Sequence, residues 1–420
     1  MKKRMLVLLL AVALCVALTG CVVTPGADTN TSLPSDPPTG NDSPEVTPLE
    51  PGVQADEAYG YGKFADVKIK DKFGKWPEER EDTYYDSTVG AWMTVYLSEL
   101  DSAMGYVWTS NCRLVPVDFG YYSHNDVDYI NTQFSRLKNI GVDFVSLDDT
   151  NGHWNGYGVI ARNVDTVFET VSKLGDKAPK LVLATGMTVV WDGDEGQQEE
   201  VDYLYETYVR KYADTYFQWK GKPMLLFFNN PFKMWVDKED RFTIRRATAS
   251  VSYGSGVIAG EEGVWGWVSN VDQPAEAEVM LVQAGYDKYH QGGYSLAVYP
   301  REHGKRYIDS WLAAVKANPE AIMMLSWNDY SEETGIEAAN WVEGEDPYLY
   351  EKIAEGYLAL KHGCIDGFYY RAESSEAVYR YNAETKSLTL IPADEVPAAT
   401  EEPVIVVPDD YFAWAGLTAA

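Results

Sequence analysis

Short apolar runs that break into polar residues, separated by amphipathic stretches, recur through the middle of this chain and restrict its fold more than any other feature. Residues 89–96, 142–147, 181–185, 223–228 and 321–325 read as strands. Between them, 126–140, 164–174, 199–216 and 307–317 carry helical spacing, the first closed by Gly141. Residues 243–252, 264–268 and 294–298 are taken as later strands around an insertion at 253–262. Strand, helix, strand in steady alternation predicts an α/β fold, a (β/α)8 TIM barrel, whose reacting groups lie at the C-terminal ends of the strands.

The sharpest transition is AIMMLSWNDYSEETGIEAA, residues 321–339, where a buried strand gives way to a Trp, an amide and acids. Asp329 and Glu332 are three residues apart, so a single helical turn places both carboxylates on one side. Trp327 and Tyr330 are then expected as sugar-stacking walls, with Asn328 beside them. Two carboxylates against aromatic surface are the minimum equipment for glycoside hydrolysis. Against this stands the plainer alternative that most Asp and Glu of an acidic chain are solvated surface groups.

Trp327-Asn328-Asp329-Tyr330-Ser331-Glu332, followed by Thr334 and Ile336-Glu337, resembles the signatures of glycoside hydrolase families 71 and 99. The family 71 pattern, WNDYGES, comes from α-1,3-glucanases and is similar through Trp327 to Tyr330 and at Glu332. The family 99 pattern, NEWHEGTQIE, comes from endo-acting α-mannosidases and is similar at Thr334, Ile336 and Glu337. The resemblance extends over roughly residues 88–360 through Gly141-Val142-Asp143, Gly221-Lys222-Pro223 and Arg301 with Gly304 and Tyr307. It implies an endo-acting glycosidase of α-linked glycans whose working carboxylates fall on Asp329 and Glu332. Two departures stand out: Asp329 is one methylene shorter than the family 99 Glu, and Glu333 replaces a Gly. A base that deprotonates the sugar 2-OH is therefore not simply carried over to Asp329.

Asp148 and Asp149 end another strand and are candidates for holding substrate hydroxyls or for a second acid; capping the next helix is the structural alternative. Tyr121, Tyr122 and His124 follow a further apolar-to-polar break and resemble a Tyr-Ser segment near the sugar site of related barrels. Asn229 and Trp267, with Trp154, Trp191 and Trp265, are candidate cleft residues whose alternative is core packing.

The N-terminus combines Lys2-Lys3-Arg4, an apolar stretch to Leu18 and Leu18-Thr19-Gly20-Cys21, and resembles a bacterial lipobox. It implies lipidation of Cys21 and anchoring at the bacterial cell surface. Residues 22–55 are rich in Pro, Thr, Ser, Asp and Gly and read as a disordered tether. Residues 56–362 are assigned to the barrel, and 363–420 to a small C-terminal β appendage with an acidic tail that either docks or hangs free. Of the 4 cysteines, only Cys112 and Cys364 remain as thiols in the mature domain, which is no disulfide framework. With 5 histidines and no CxxC or HExxH, neither a metal nor another cofactor is expected.

A formal charge of −29 without a basic block beyond the signal argues against nucleic acid as a partner and for a neutral one, carbohydrate. The 30 Tyr and 13 Trp point the same way, since aromatic faces suit sugar C–H surfaces. The sequence thus predicts a surface-anchored glycosidase with Glu332 as general acid and Asp329 as base. A non-catalytic glycan-binding lipoprotein is the alternative that the Asp and Glu departures permit. A transporter's solute-binding lipoprotein would share signal and tether, but the single run of strand–helix units speaks against its two lobes.

Overall fold

The computed structural model describes residues 77, 80–153, 155–186, 193–228, 236–247, 265, 277–288 and 298–418, without the side chains of residues 155 and 193–195. The signal and tether expected at residues 1–55 lie outside that set, as do Cys21, Trp154, Trp191, Asn229 and Trp267.

Seven parallel strands form one curled sheet: β1 (Thr88–Thr94), β2 (Phe144–Asp148), β3 (Lys180–Thr185), β5 (Lys222–Phe227), β6 (Thr243–Arg246), β7 (Val279–Gln283) and β8 (Ala321–Leu325). Their spatial order is β6-β5-β3-β2-β1-β8-β7, and β4 (Gln218–Trp219) adds a short antiparallel pair to β5. Next to β6, the Trp265 backbone N–H donates to the Arg246 carbonyl at 2.9 Å. The expected strand at 321–325 is observed with the same limits, whereas β7 was hidden in VMLVQ behind an acidic stretch and the strand expected at 294–298 lies outside the described residues except Val298.

The strands obey a period of two. Trp92, Phe144, Val182, Ala184, Met224, Leu226, Leu281, Met323 and Leu325 fill the concave side. Val89, Ala91, Met93, Val145, Leu147, Leu183 and Met324 face the helices on the other. Gly90 takes its place in the concave series because a Cβ there would lie 2.2 Å from the Phe144 ring. The same parity carries Thr94, Asp148 and, beyond the strand, Tyr96 toward the interior.

The helices are α1 (Val127–Asn139), α2 (Asn155–Leu174), α3 (Gly193–Leu204), α4 (Lys305–Ala317), α5 (Leu349–Ala359) and a short α6 (Tyr411–Trp414). Asp126 caps α1, its Oδ1 accepting from the N–H groups of Asp128 and Tyr129 at 2.9 and 3.2 Å, and Gly141 with φ 97° turns the chain into β2. At the head of α2, Gly156, Tyr157 and Gly158 are left-handed, so the regular helix starts after them.

After α5 the chain builds a second sheet, β9 (Tyr369–Ala372), β10 (Val378–Asn382), β11 (Ser387–Ile391) and β12 (Val404–Val407), in the order β11-β10-β9-β12. β12 lies in the stretch that the sequence assigns to the acidic tail. Tyr370, Ile405, Val407 and Tyr411 belong to the same apolar cluster as the barrel's outer layer. Ile405 fills the space left by Gly356, and the Tyr357 hydroxyl donates to the Val406 carbonyl at 2.8 Å. The tail docks: Tyr84 donates to Asp410 at 2.6 Å, and Arg80 lies 4.3 Å over the Trp414 ring.

Candidate active site

Three neighbouring strands, β2, β1 and β8, deliver acidic or phenolic groups to one point at their C-terminal ends. Asp148 closes β2 with 6% exposure; its Oδ1 accepts from the Thr150 N–H and hydroxyl at 3.1 and 2.6 Å, and its Oδ2 from Trp92 Nε1 at 3.2 Å. Tyr96, just past β1, donates to Asp329 Oδ1 at 3.1 Å. That oxygen also accepts from the Ser331 N–H and hydroxyl and the Glu332 N–H at 2.8, 2.7 and 3.0 Å. Asp329 Oδ2 accepts no hydrogen bond among the described residues, which leaves one oxygen of this carboxyl for a proton or a substrate atom.

The charge state of these acids follows from their surroundings. Burial first, then the charge of Glu332, pushes Asp329 up to about 7; burial pushes Asp148 up to about 6 despite the Thr150 and Trp92 hydrogen bonds. Glu332 stands at the edge, where Lys288 Nζ lies 2.5 Å from its Oε1. Glu333 turns away: it is left-handed with φ 52°, and Arg113 lies 2.5 Å from its carboxylate while also reaching Asp287 at 3.2 Å. The Gly that Glu333 replaces in the resembling pattern is the residue such a backbone favours.

Below the loop lies a buried polar layer that corrects several expectations. Trp327 and Tyr330 are no sugar-stacking walls: both are fully buried, Trp327 donating to Gln133 at 3.0 Å and Tyr330 to Glu337 at 2.9 Å with its ring stacked on Trp341. Ring contacts and hydrogen-bond partners within the buried layer take up both side chains. Asn328 is likewise buried and clamps β8 to β1, accepting from the Thr94 N–H at 2.8 Å and donating to the Tyr122 hydroxyl at 3.0 Å and His124 Nε2 at 3.2 Å.

Tyr122 and His124 therefore support the loop instead of lining a cleft; Tyr122 stacks on Tyr129 at 3.8 Å and donates to Glu337 at 3.1 Å. Burial pushes His124 down to about 4, so the neutral ring accepts at Nε2 while Nδ1 faces the Leu97 carbonyl at 3.2 Å. Half-buried Tyr121 packs edge-on against Trp108. Asp149 is also structural, paired with His153 at 2.7 Å in a fully buried contact. Trp265 is core, its indole donating to Glu278 at 3.0 Å at the opposite end of the sheet.

The sequence reading missed Tyr96 and Lys288. Counting in twos along β1 would have brought Tyr96 inward with Trp92 and Thr94; Lys288 ends the apolar-to-polar break after the unrecognised β7. Cys112 and Cys364 are separate thiols, and no group of three or more His, Cys, Asp or Glu side chains among the described residues is arranged to hold a metal.

No family model and no curated protein matches the chain. Solved structures do: the GH99 endo-α-mannosidase from Bacteroides thetaiotaomicron matches with a TM-score of 0.50 at 15% identity, covering 65% of this chain and 97% of that one. The same enzyme in complex with bis-tris-propane matches with a TM-score of 0.51 at the same identity and coverage. At this identity the likeness shows the fold: the curled parallel sheet is that of a TIM-like barrel.

Proposed function

We propose that this chain is a glycoside hydrolase acting within α-linked glycans, glucan or mannan, with Asp329 as general acid and Glu332 as base or nucleophile. The observation carrying this is the contrast between the two: a buried carboxyl pushed up to about 7 beside a carboxylate held against an ammonium. A carboxyl kept protonated by its surroundings beside one seated on a cation is the arrangement expected of an acid/base pair. The roles are the reverse of those expected from the sequence, because burial falls on Asp329 and the ion pair on Glu332. Endo action and the α linkage are supported by the solved endo-α-mannosidases of like fold. Asp148 and Tyr96 complete the sugar-facing set. The lipobox at Leu18 to Cys21 supports attachment to the membrane at the cell surface.

Product analysis on a panel of α-glucans, α-mannans and mixed α-linked glycans tests the reading. Wild type is expected to release oligosaccharides, and Glu332→Gln and Asp329→Asn to lose about a hundred- to ten-thousand-fold. On an activated aryl glycoside, whose leaving group needs no proton, Asp329→Asn should recover most of its rate and Glu332→Gln should not. Recovery by Glu332→Gln instead would return the acid role to Glu332. Glycan binding without turnover by wild type would identify the non-catalytic alternative.

A further inference from the structure

Lys288 is held in place by more than its own ion pair. The segment after β7 is stitched to the β8 loop, the Asp287 N–H donating to the Glu332 carbonyl at 2.9 Å, and Tyr286 is paired with Tyr299 through both backbone bonds at 3.0 and 2.8 Å. Arg301 packs into the space beside Gly285, where a Cβ would come within 2.6 Å of its side chain. The same guanidinium donates to the carbonyls of Glu333 and Gly335 at 2.9 and 2.7 Å. The backbones that carry Lys288 and Glu332 are thus one assembly, and Nζ meets Oε1 at 2.5 Å with the glutamate side chain only 13% exposed.

We infer that Lys288 is a positioning residue that fixes which of the two carboxyls holds the proton, keeping Glu332 ionised so that the proton stays on Asp329. The inference rests on the reading of Asp329 and Glu332 as the reacting pair. Among the described residues, the other groups near this spot, Tyr286 included, are acidic, weakly acidic or already engaged. Asp329 comes from the same loop, Tyr96 from β1 and Asp148 from β2, while Arg113 is shared between Glu333 and Asp287. The half-buried Cys112 thiol, from the loop before α1, is pushed up by burial and by Asp329 and stays neutral. Glu332's charge in turn holds the Lys288 ammonium above its ordinary range. That ammonium favours the ionised form of the carboxyl it touches, so removing it narrows the difference between two adjacent carboxyls that share one proton.

The test is a carboxyl ¹³C titration of the full chain, with Asp329 and Glu332 signals assigned by their loss in Asp329→Asn and Glu332→Gln, for wild type, Lys288→Met and Lys288→Arg. On acidification, the Asp329 signal should move before that of Glu332 in wild type. In Lys288→Met the order should collapse or reverse, and Lys288→Arg should restore it. In parallel, the acid limb of the activity profile of Lys288→Met should move up by about one pH unit or more. Should Lys288→Met unfold, Lys288→Gln supplies the same comparison. An unchanged order of titration in a folded Lys288→Met overturns the inference, even if wild type hydrolyses glycans. A changed order in a chain that cleaves nothing leaves the inference standing and removes the hydrolase reading.

Discussion

Asn328 shows how a single buried side chain holds the β8 loop in place. Its Oδ1 takes the Thr94 N–H at 2.8 Å, and its amide nitrogen serves Tyr122 and His124. Asn328→Ala strands a buried N–H and is expected to cost about 1–3 kcal/mol of stability, read as a lowered midpoint in denaturant. An unchanged midpoint would mean that the clamp is dispensable. The acids were legible from the sequence, Asp329, Glu332 and Asp148 standing out as polar groups directly after apolar runs, whereas the cation Lys288, behind the unread β7, was not. The roles of Trp327, Tyr330, Tyr122 and His124 were not, because a composition of Trp, Tyr and His looks the same whether it lines a cleft or roofs a core. Only burial separates the two.

At the scale of elements, alternation was legible wherever a strand consisted of uninterrupted apolar residues, as in β8, and where a helix carried its own signals, as in α1 with Asp126 and Gly141. It failed at β7, since VMLVQ is too short to show a period and follows a run of acids and alanines. It failed again at β12, where flanking prolines masked VIVV. That strand matters, because Ile405 and Val407 share the barrel's apolar cluster and Val406 receives the Tyr357 hydroxyl. A chain ending at residue 362 would lay open the α5 surface around Gly356 and Tyr357. It is expected to be insoluble or to lose cooperative unfolding; a soluble fragment melting like the full chain would show that the second sheet is an independent unit.

For the molecule as a whole, buried acids decide how stability follows pH. Asp148, Asp329, Glu337 and Glu355 are pushed up, chiefly by burial, to about 6, 7, 8 and 9. A carboxyl raised in the folded state gives stability that is complete below its unfolded value and is lost as pH climbs through the folded one. Against the upward pull of burial, hydrogen bonds hold Glu99 and Asp237 down to about 2, and their contribution is lost in the opposite direction, below about pH 4. His124, pushed down to about 4 by burial, likewise weakens the fold as pH falls below its unfolded value of about 6.5. The unfolding temperature should therefore be higher at about pH 6 than at about pH 8.5, in the sense also favoured by relieving a net charge of −29. A flat or rising profile by calorimetry would contradict this balance. The polar layer beneath the β8 loop has a consequence for descent. Gln133, Glu337, Tyr122, Tyr330 and Asn328 bond to one another and to the backbone, while Asp329 and Glu332 rest on top of them. If the chain is the glycosidase proposed above, a lineage could exchange both upper acids and keep the layer beneath them, turning a cutter of sugars into a holder of them with little trace in the fold; among relatives, the letters at positions 329 and 332 would sort the two trades.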